Sequence, residues 1–149
     1  MSAVLIVDDD PKIREILARW LAAAGYETRE TSDAETALPL LTSGQADVVL
    51  CDVAMPGRGG LWLVERAREE CPSVAVVLAT GLGNVHPSIS LGGNVVDYLV
   101  KPFDRALVVA AVARGRAWHE SAVAKGIGGG QESLHTWLAG KRAPATEGK

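Results

Sequence analysis

Four apolar runs punctuate the chain, and each ends in a carboxylate, a hydroxyl or an ammonium. Ala3–Val7 leads into Asp8, Asp9 and Asp10, and Asp47–Cys51 into Asp52; Val74–Ala79 leads into Thr80, and Val95–Val100 into Lys101. Short, bounded, Val-rich runs separated by helical stretches predict parallel strands. Between them, Ile13, Ile16, Leu17, Trp20 and Leu21 recur at helical spacing behind Asp10-Pro11, a cap followed by a proline suited to the first helical position. Gly25 supplies the stop. Tyr26–Thr31 alternates large and polar residues, the mark of a strand with one wet face. Ser32 or Asp33 opens a second helix through Ala34, Ala37, Leu38 and Leu41, which Pro39 should kink or shorten. Met55–Gly60 can only be a loop, and Leu61–Cys71 a helix with Leu61, Val64 and Ala67 on its inner side. Gly81–Asn94 is the least regular stretch, so a helix there is expected to be short or irregular. The last helix is expected from Asp104 to Glu120.

Five βα units imply an α/β, doubly wound parallel sheet. The runs ending at Asp8, Asp52 and Thr80 are apolar throughout and should be central, with Tyr26–Thr31 and Val95–Val100 at the edges. The strand order is then 2-1-3-4-5, the flavodoxin-like arrangement. All strands of such a sheet point their carboxyl ends at one edge, so the acids, the threonine and the lysine should meet in one pocket. Crowded carboxylates repel and raise one another's pKa values. A divalent cation relieves that repulsion, and an all-oxygen donor set suits Mg²⁺. A carboxylate at a strand end can act as a nucleophile toward phosphorus, and phosphoryl transfer asks mainly for positioning and charge neutralisation, here from Lys101. For Asp10 the helix-capping role is the reading adopted.

Composition narrows the classes. With 149 residues, one domain and a short extension are expected: residues 1–120 as the domain and 121–149 as a glycine-rich linker, Gly126–Gly130, and tail. A net charge of -3 offers no basic face for nucleic acid, and no run approaches a membrane span. The start Met-Ser-Ala has no signal-peptide character, and Cys51 and Cys71 make no spaced motif, so a cytoplasmic protein with reduced, buried cysteines is expected. His86, His119 and His135 are expected at the surface, Trp20 and Trp62 in packing, and Arg58 as a solvated loop charge.

These residues carry a resemblance. Asp8-Asp9, Asp52-Val53-Ala54-Met55-Pro56 with Gly60, Thr80-Gly81 and Tyr98-Leu99-Val100-Lys101-Pro102-Phe103 make residues Val4 to His119 resemble the receiver domain of a two-component response regulator. The resemblance implies Asp52 as phosphoacceptor from a sensor histidine kinase, a phosphotransfer protein or a small phosphodonor. It implies Mg²⁺ held by Asp9, Asp52 and the Ala54 backbone carbonyl, with Asp8 reaching it through water. Lys101 then pairs with the phosphoryl group, Thr80 and Tyr98 form the switch, and the Lys101-Pro102 bond is cis. It implies a signalling phosphoacceptor rather than a classical enzyme. Two features depart from the family: the glycine-rich 86–94 stretch where a regular fourth helix is usual, and nothing after Glu120 resembling an output domain.

Three rivals fit less well. A phosphatase of the haloacid dehalogenase kind needs a second Asp two residues after its nucleophile, where this chain has Ala54. A pseudo-receiver would lack one of the acids, the Thr or the Lys. A flavin phosphate wants bare amides where this edge offers acids. Finally, Ala106–Ala113 carries no polar residue on any face, which implies a second buried side. The surface around Val108, Val109 and Val112 is expected to meet a second copy or a partner protein, unless the Trp118–Trp137 tail covers it.

Overall fold

The computed structural model describes residues 3–81 and 93–127. Five strands, β1 (Ala3–Val7), β2 (Glu27–Thr31), β3 (Val48–Asp52), β4 (Ala75–Thr80) and β5 (Val95–Val100), form one parallel sheet in the order β2-β1-β3-β4-β5. Helices α1 (Pro11–Ala23), α2 (Ala34–Thr42), α3 (Gly60–Glu70) and α4 (Arg105–Ala124) connect and cover it. The expected short fourth helix, and the linker and tail beyond Ile127, lie outside the described residues.

Every residue of β1, β3 and β4 is buried, because both faces of the sheet are covered. Leu5, Val7, Val49, Cys51, Val76 and Leu78 face α2 and α3, while Val4, Ile6, Val48, Leu50, Ala75 and Val77 face α1 and α4. Alternate residues of one strand thus enter opposite cores, and the sequence reads as an unbroken apolar run. β2 is largely exposed and β5 half-buried, as the edges require.

Local signals set the helix starts. Asp10 caps α1, its carboxylate accepting from the Lys12 N–H at 2.9 Å, and Asp33 caps α2 through the Thr36 N–H at 2.6 Å. Pro39 lies inside α2, the shortest of these helices. In α3 the buried side is formed by Gly60, Leu63, Val64 and Ala67, whereas Leu61 is only half-buried. The helix begins at Gly60, one position earlier than expected, and its axis turns Leu63 into the core.

The last helix runs beyond Glu120 to Ala124, with Ala122 buried. Its apolar segment needs correction. Val108 and Val112 are fully buried against the sheet, and Val109 is half-buried, so these residues are core rather than a free surface. The large side chain that the segment exposes is Leu107, at 58%; Val100 of β5 is exposed by 46%. α4 also lies close to the strands at Gly115, where a Cβ would stand 3.0 Å from the Val48 side chain. A side chain there would push the helix off β3.

His119, expected at the surface, is half-buried and engaged on both ring nitrogens. Its Nδ1 lies 2.7 Å from the Ser73 carbonyl and its Nε2 3.5 Å from Asp47, which also accepts from Arg116 at 2.8 Å. This cluster ties α4 to the amino-terminal edge of the sheet. Arg58 is an exposed loop charge, as expected, lying 4.7 Å above the Trp62 ring and 3.8 Å from Glu35. Both cysteines are buried and unbridged; burial pushes the Cys51 thiol far up and the Cys71 thiol to about 11.

The cap on α2 gives a stability test. Hydrogen bonds from the Thr36 side chain and backbone hold the Asp33 carboxyl below its ordinary value. A depressed carboxylate stabilises the fold above its unfolded pKa, about 4, and the contribution is lost as pH falls through the folded value. Asp33→Ala should therefore cost about 1 kcal/mol at neutral pH. In urea denaturation the gap to wild type should close as the solution is acidified below that range.

Candidate functional site

The order of the sheet reverses at β1. The chain passes from β1 outward to β2, then returns to place β3 on the other side of β1. Parallel α/β sheets bind ligands at the carboxyl ends of strands beside such a reversal. Here those ends carry Asp8, just after β1, and Asp52, the last residue of β3. Both are buried, exposed by 2% and 5%, while Asp9 is exposed. Carboxylate oxygens of Asp8, Asp9 and Asp52 lie within 4.8 Å of one another.

An ammonium opposes them. Lys101, immediately after β5, places Nζ 3.1 Å from Asp52 Oδ2 and 3.3 Å from Asp8 Oδ2. The remaining oxygens are held by backbone: Asp8 Oδ1 accepts from the Asp10 N–H at 2.9 Å, and Asp52 Oδ1 from the Ala54 N–H at 3.2 Å. Burial pushes the Asp8 carboxyl up, Asp52 adds to that, and the Asp10 N–H and Lys101 oppose it. Burial alone would lower the Lys101 pKa; its bonds and charges toward Asp52 and Asp8 outweigh burial and raise it. Lys101 therefore stays cationic, yet one ammonium faces three carboxylates.

That imbalance is the fit test for a cation. The donors are carboxylate oxygens only, with no sulfur or imidazole, and one of the three is open to solvent. Such a set suits a hard divalent ion that keeps part of its hydration, as Mg²⁺ does. Of Ala54, the structure shows the N–H engaged with Asp52.

Backbone bonds hold the strand ends in place. The Val53 N–H donates to the Ala79 carbonyl at 2.8 Å and the Lys101 N–H to the Thr80 carbonyl at 2.9 Å, so β4 links the strand of Asp52 to the segment carrying Lys101. Thr80 is buried, and its Oγ1 donates to the Gly81 carbonyl at 3.3 Å. Tyr98 lies on β5, in register with Leu78. Its hydroxyl is buried and has no hydrogen-bond partner among the described residues; burial raises its pKa. The Lys101-Pro102 peptide is cis. At the start of α3, a Cβ on Gly60 would stand 2.8 Å from the Asp52 carbonyl, so only glycine lets the helix begin against the end of β3.

The expected residues Asp8, Asp9, Asp52 and Lys101 are thus brought together, with Thr80 on the adjoining strand end. Arg14 was not singled out by the sequence. It donates from Nη1 to the Asp8 carbonyl at 2.6 Å, and only its place four residues after the capping Asp10 hints at that role.

Known proteins share this plan. Residues 4–113 match the response regulator receiver domain. The response regulator protein FleR of Pseudomonas aeruginosa is 38% identical over 114 residues, which are 76% of this chain and 24% of FleR. The DNA-binding transcriptional regulator NtrC of Azospirillum brasilense is 32% identical over 114 residues, again 76% of this chain and 24% of that protein. The chain therefore spans about a quarter of the length of these curated relatives. Among solved structures, a putative response regulator from Chloroflexus aurantiacus superposes with a TM-score of 0.70 at 33% identity, covering 78% of this chain and 98% of that one. The receiver domain of NtrX from Brucella abortus does so with a TM-score of 0.68 at 30% identity, covering 75% and 96%. With a match over most of its length, and a fold that delivers the acids and the lysine to one sheet edge, the chain belongs to the family of response regulator receiver domains.

Proposed function

We propose that the chain is a phosphoacceptor in a two-component relay, with Asp52 as the residue modified and Mg²⁺ as the required ion. The observation that carries this reading is the cluster itself: three carboxylates within 4.8 Å and a lysine bonded to two of them. An Asp52 oxygen attacks phosphorus, the bond from phosphorus to the donor's histidine nitrogen breaks, and that nitrogen keeps the electron pair. With a small acyl phosphate the leaving group is a carboxylate instead. Asp8, Asp9, Asp52 and the Ala54 carbonyl would hold the ion, which when bound supplies the positive charge that lets an anionic donor approach anionic ligands. Lys101 sits where it can exchange its bond to Asp52 Oδ2 for one to a phosphoryl oxygen. The Thr80 hydroxyl, on the neighbouring strand end, would donate to the same group, and Tyr98 would respond to that movement.

A protein donor also fits the surface. Beside Lys101, residues Ile13, Ile16 and Trp20 of α1 join Pro102 and Phe103 around a mainly apolar cavity of about 230 Å³. A helix of a sensor kinase or phosphotransfer protein carrying the donor histidine could seat there. Exposed Leu107 and Val100 are apolar side chains that a second copy or a downstream partner would cover, and phosphorylation would bias that contact.

The direct test is intact-mass measurement after incubation with acetyl phosphate and Mg²⁺. A gain of one phosphoryl group is expected, absent in Asp52→Asn and absent with a chelator. A gain that persists in Asp52→Asn would remove the assignment.

Lifetime gives a second prediction. In receivers the positions two after the phosphoacceptor and two after the switch threonine tune the hydrolytic water, here Ala54 and Leu82. Ala54 is exposed and has no polar side-chain atom to orient that water. The phosphorylated chain should therefore be long-lived, and Ala54→Asn with Leu82→Glu should shorten its half-life severalfold in a phosphate-release assay. A short half-life unmoved by both substitutions would contradict this.

A further inference from the structure

Two of the three clustered carboxylates are fixed by their own hydrogen bonds, and one is not. Asp8 and Asp52 each use both oxygens, toward a backbone N–H and toward Lys101. Asp9 has no hydrogen bond or ion pair to its side chain among the described residues, yet its carboxylate lies within 4.8 Å of the other two. What the rest of the fold can fix for Asp9 is therefore its backbone, beginning with the peptide that joins Asp8 to Asp9.

That peptide has a brace. Arg14 Nη1 donates to the Asp8 carbonyl oxygen at 2.6 Å, while Arg14 Nε lies 3.6 Å from Glu30 Oε1. Arg14 belongs to α1, its own N–H donating to the Asp10 carbonyl at 3.1 Å, and Glu30 stands on β2 opposite Ile6 of β1. One planar guanidinium thus joins α1, the end of β1 and β2. The Arg14 side chain is 19% exposed, so water competes weakly for its bond to the Asp8 carbonyl, whereas Glu30 is 43% exposed and orients the guanidinium from the solvent side. Because the peptide unit is planar, fixing the Asp8 carbonyl fixes the plane from which the Asp9 Cα departs. Glu30 turns the guanidinium toward β2 and balances its charge, which favours Arg14 as an anchor over Arg14 as a second cation among the carboxylates.

We propose that Arg14, oriented by Glu30, is a positioning residue for the divalent-cation site: through the Asp8 carbonyl it holds Asp9 at ligating range. This rests on reading the cluster as the cation site of a phosphoacceptor. Residues that orient metal ligands at one remove typically change metal affinity by about 10–100-fold when lost.

The sign of the effect separates positioning from simple charge. Removing a cation near the cluster would, by electrostatics alone, tighten Mg²⁺ binding. Loss of the brace weakens it. The experiment is calorimetric titration of the full chain with MgCl₂ in four forms: wild type, Arg14→Met, Arg14→Lys and Asp9→Ala, with thermal unfolding recorded for each. Arg14→Met should bind about tenfold more weakly. Arg14→Lys, which keeps the charge but cannot span both the Asp8 carbonyl and Glu30 with a planar fork, should fall between it and wild type, and it carries the test if Arg14→Met does not fold. Binding as tight as wild type or tighter in a folded Arg14 variant would overturn the proposal, provided that Asp9→Ala still weakens binding. If Asp9→Ala binds like wild type, the cation site itself is misassigned, and the role of Arg14 falls with it.

Discussion

A half-buried ammonium shared between two buried carboxylates is the contact on which the rest of this site depends. Leaving Asp8 and Asp52 side by side without a counter-charge would cost several kcal/mol for each buried ion. Lys101 offsets that cost, at 3.3 and 3.1 Å from them. The carboxylates come from the two strands flanking the sheet's reversal, and the lysine from beyond the edge strand β5, with β4 between. A parallel sheet with all carboxyl ends on one side is what makes such a meeting possible across 93 and 49 residues of sequence separation. The compensation is incomplete, because Asp9 adds a third negative charge at the open side. The cluster is thus still short of positive charge, as the proposed uptake of a cation and then of an anionic donor requires.

Most of this was legible in the sequence because burial on both faces writes strands as unbroken apolar runs. β1, β3 and β4 read that way, and the polar alternation of β2 marked it as an edge. The acids and the lysine were found at the ends of those runs. What failed has physical causes. Ala106–Ala113 carries no polar residue, so no helical face could be told from another, and Val108 and Val112 proved to be core while Leu107 is the exposed one. Leu61 and Leu63 both satisfy an apolar pattern, and the point where α3 leaves the Gly59-Gly60 turn decides which is buried. His119 and Arg14 were missed because each is held by a backbone carbonyl, of Ser73 and of Asp8, and a carbonyl leaves no mark in the sequence.

The two ends of the sheet divide the work. At the carboxyl end lie the clustered charges of Asp8, Asp9, Asp52 and Lys101; at the amino end, Asp47, Arg116 and His119 clamp α4 to the start of β3 and to the Ser73 turn. Between α3 and β5, buried Asn94 donates to the Val64 carbonyl and accepts from Arg68, both at 3.3 Å. In the proposed switch, anchors of this kind would stay in place while the strand ends and the Tyr98 hydroxyl, which has no partner among the described residues, rearrange. The chain spans 24% of the length of relatives such as FleR.

The central claim is that Lys101 and a divalent cation neutralise the same carboxylates. The most direct measurement is the affinity of Mg²⁺ for Lys101→Met compared with wild type, by calorimetry at fixed ionic strength. If the lysine is the resident counter-charge, its removal leaves the carboxylates more negative and Mg²⁺ binds more tightly. Unchanged or weaker binding in the folded variant would contradict the account.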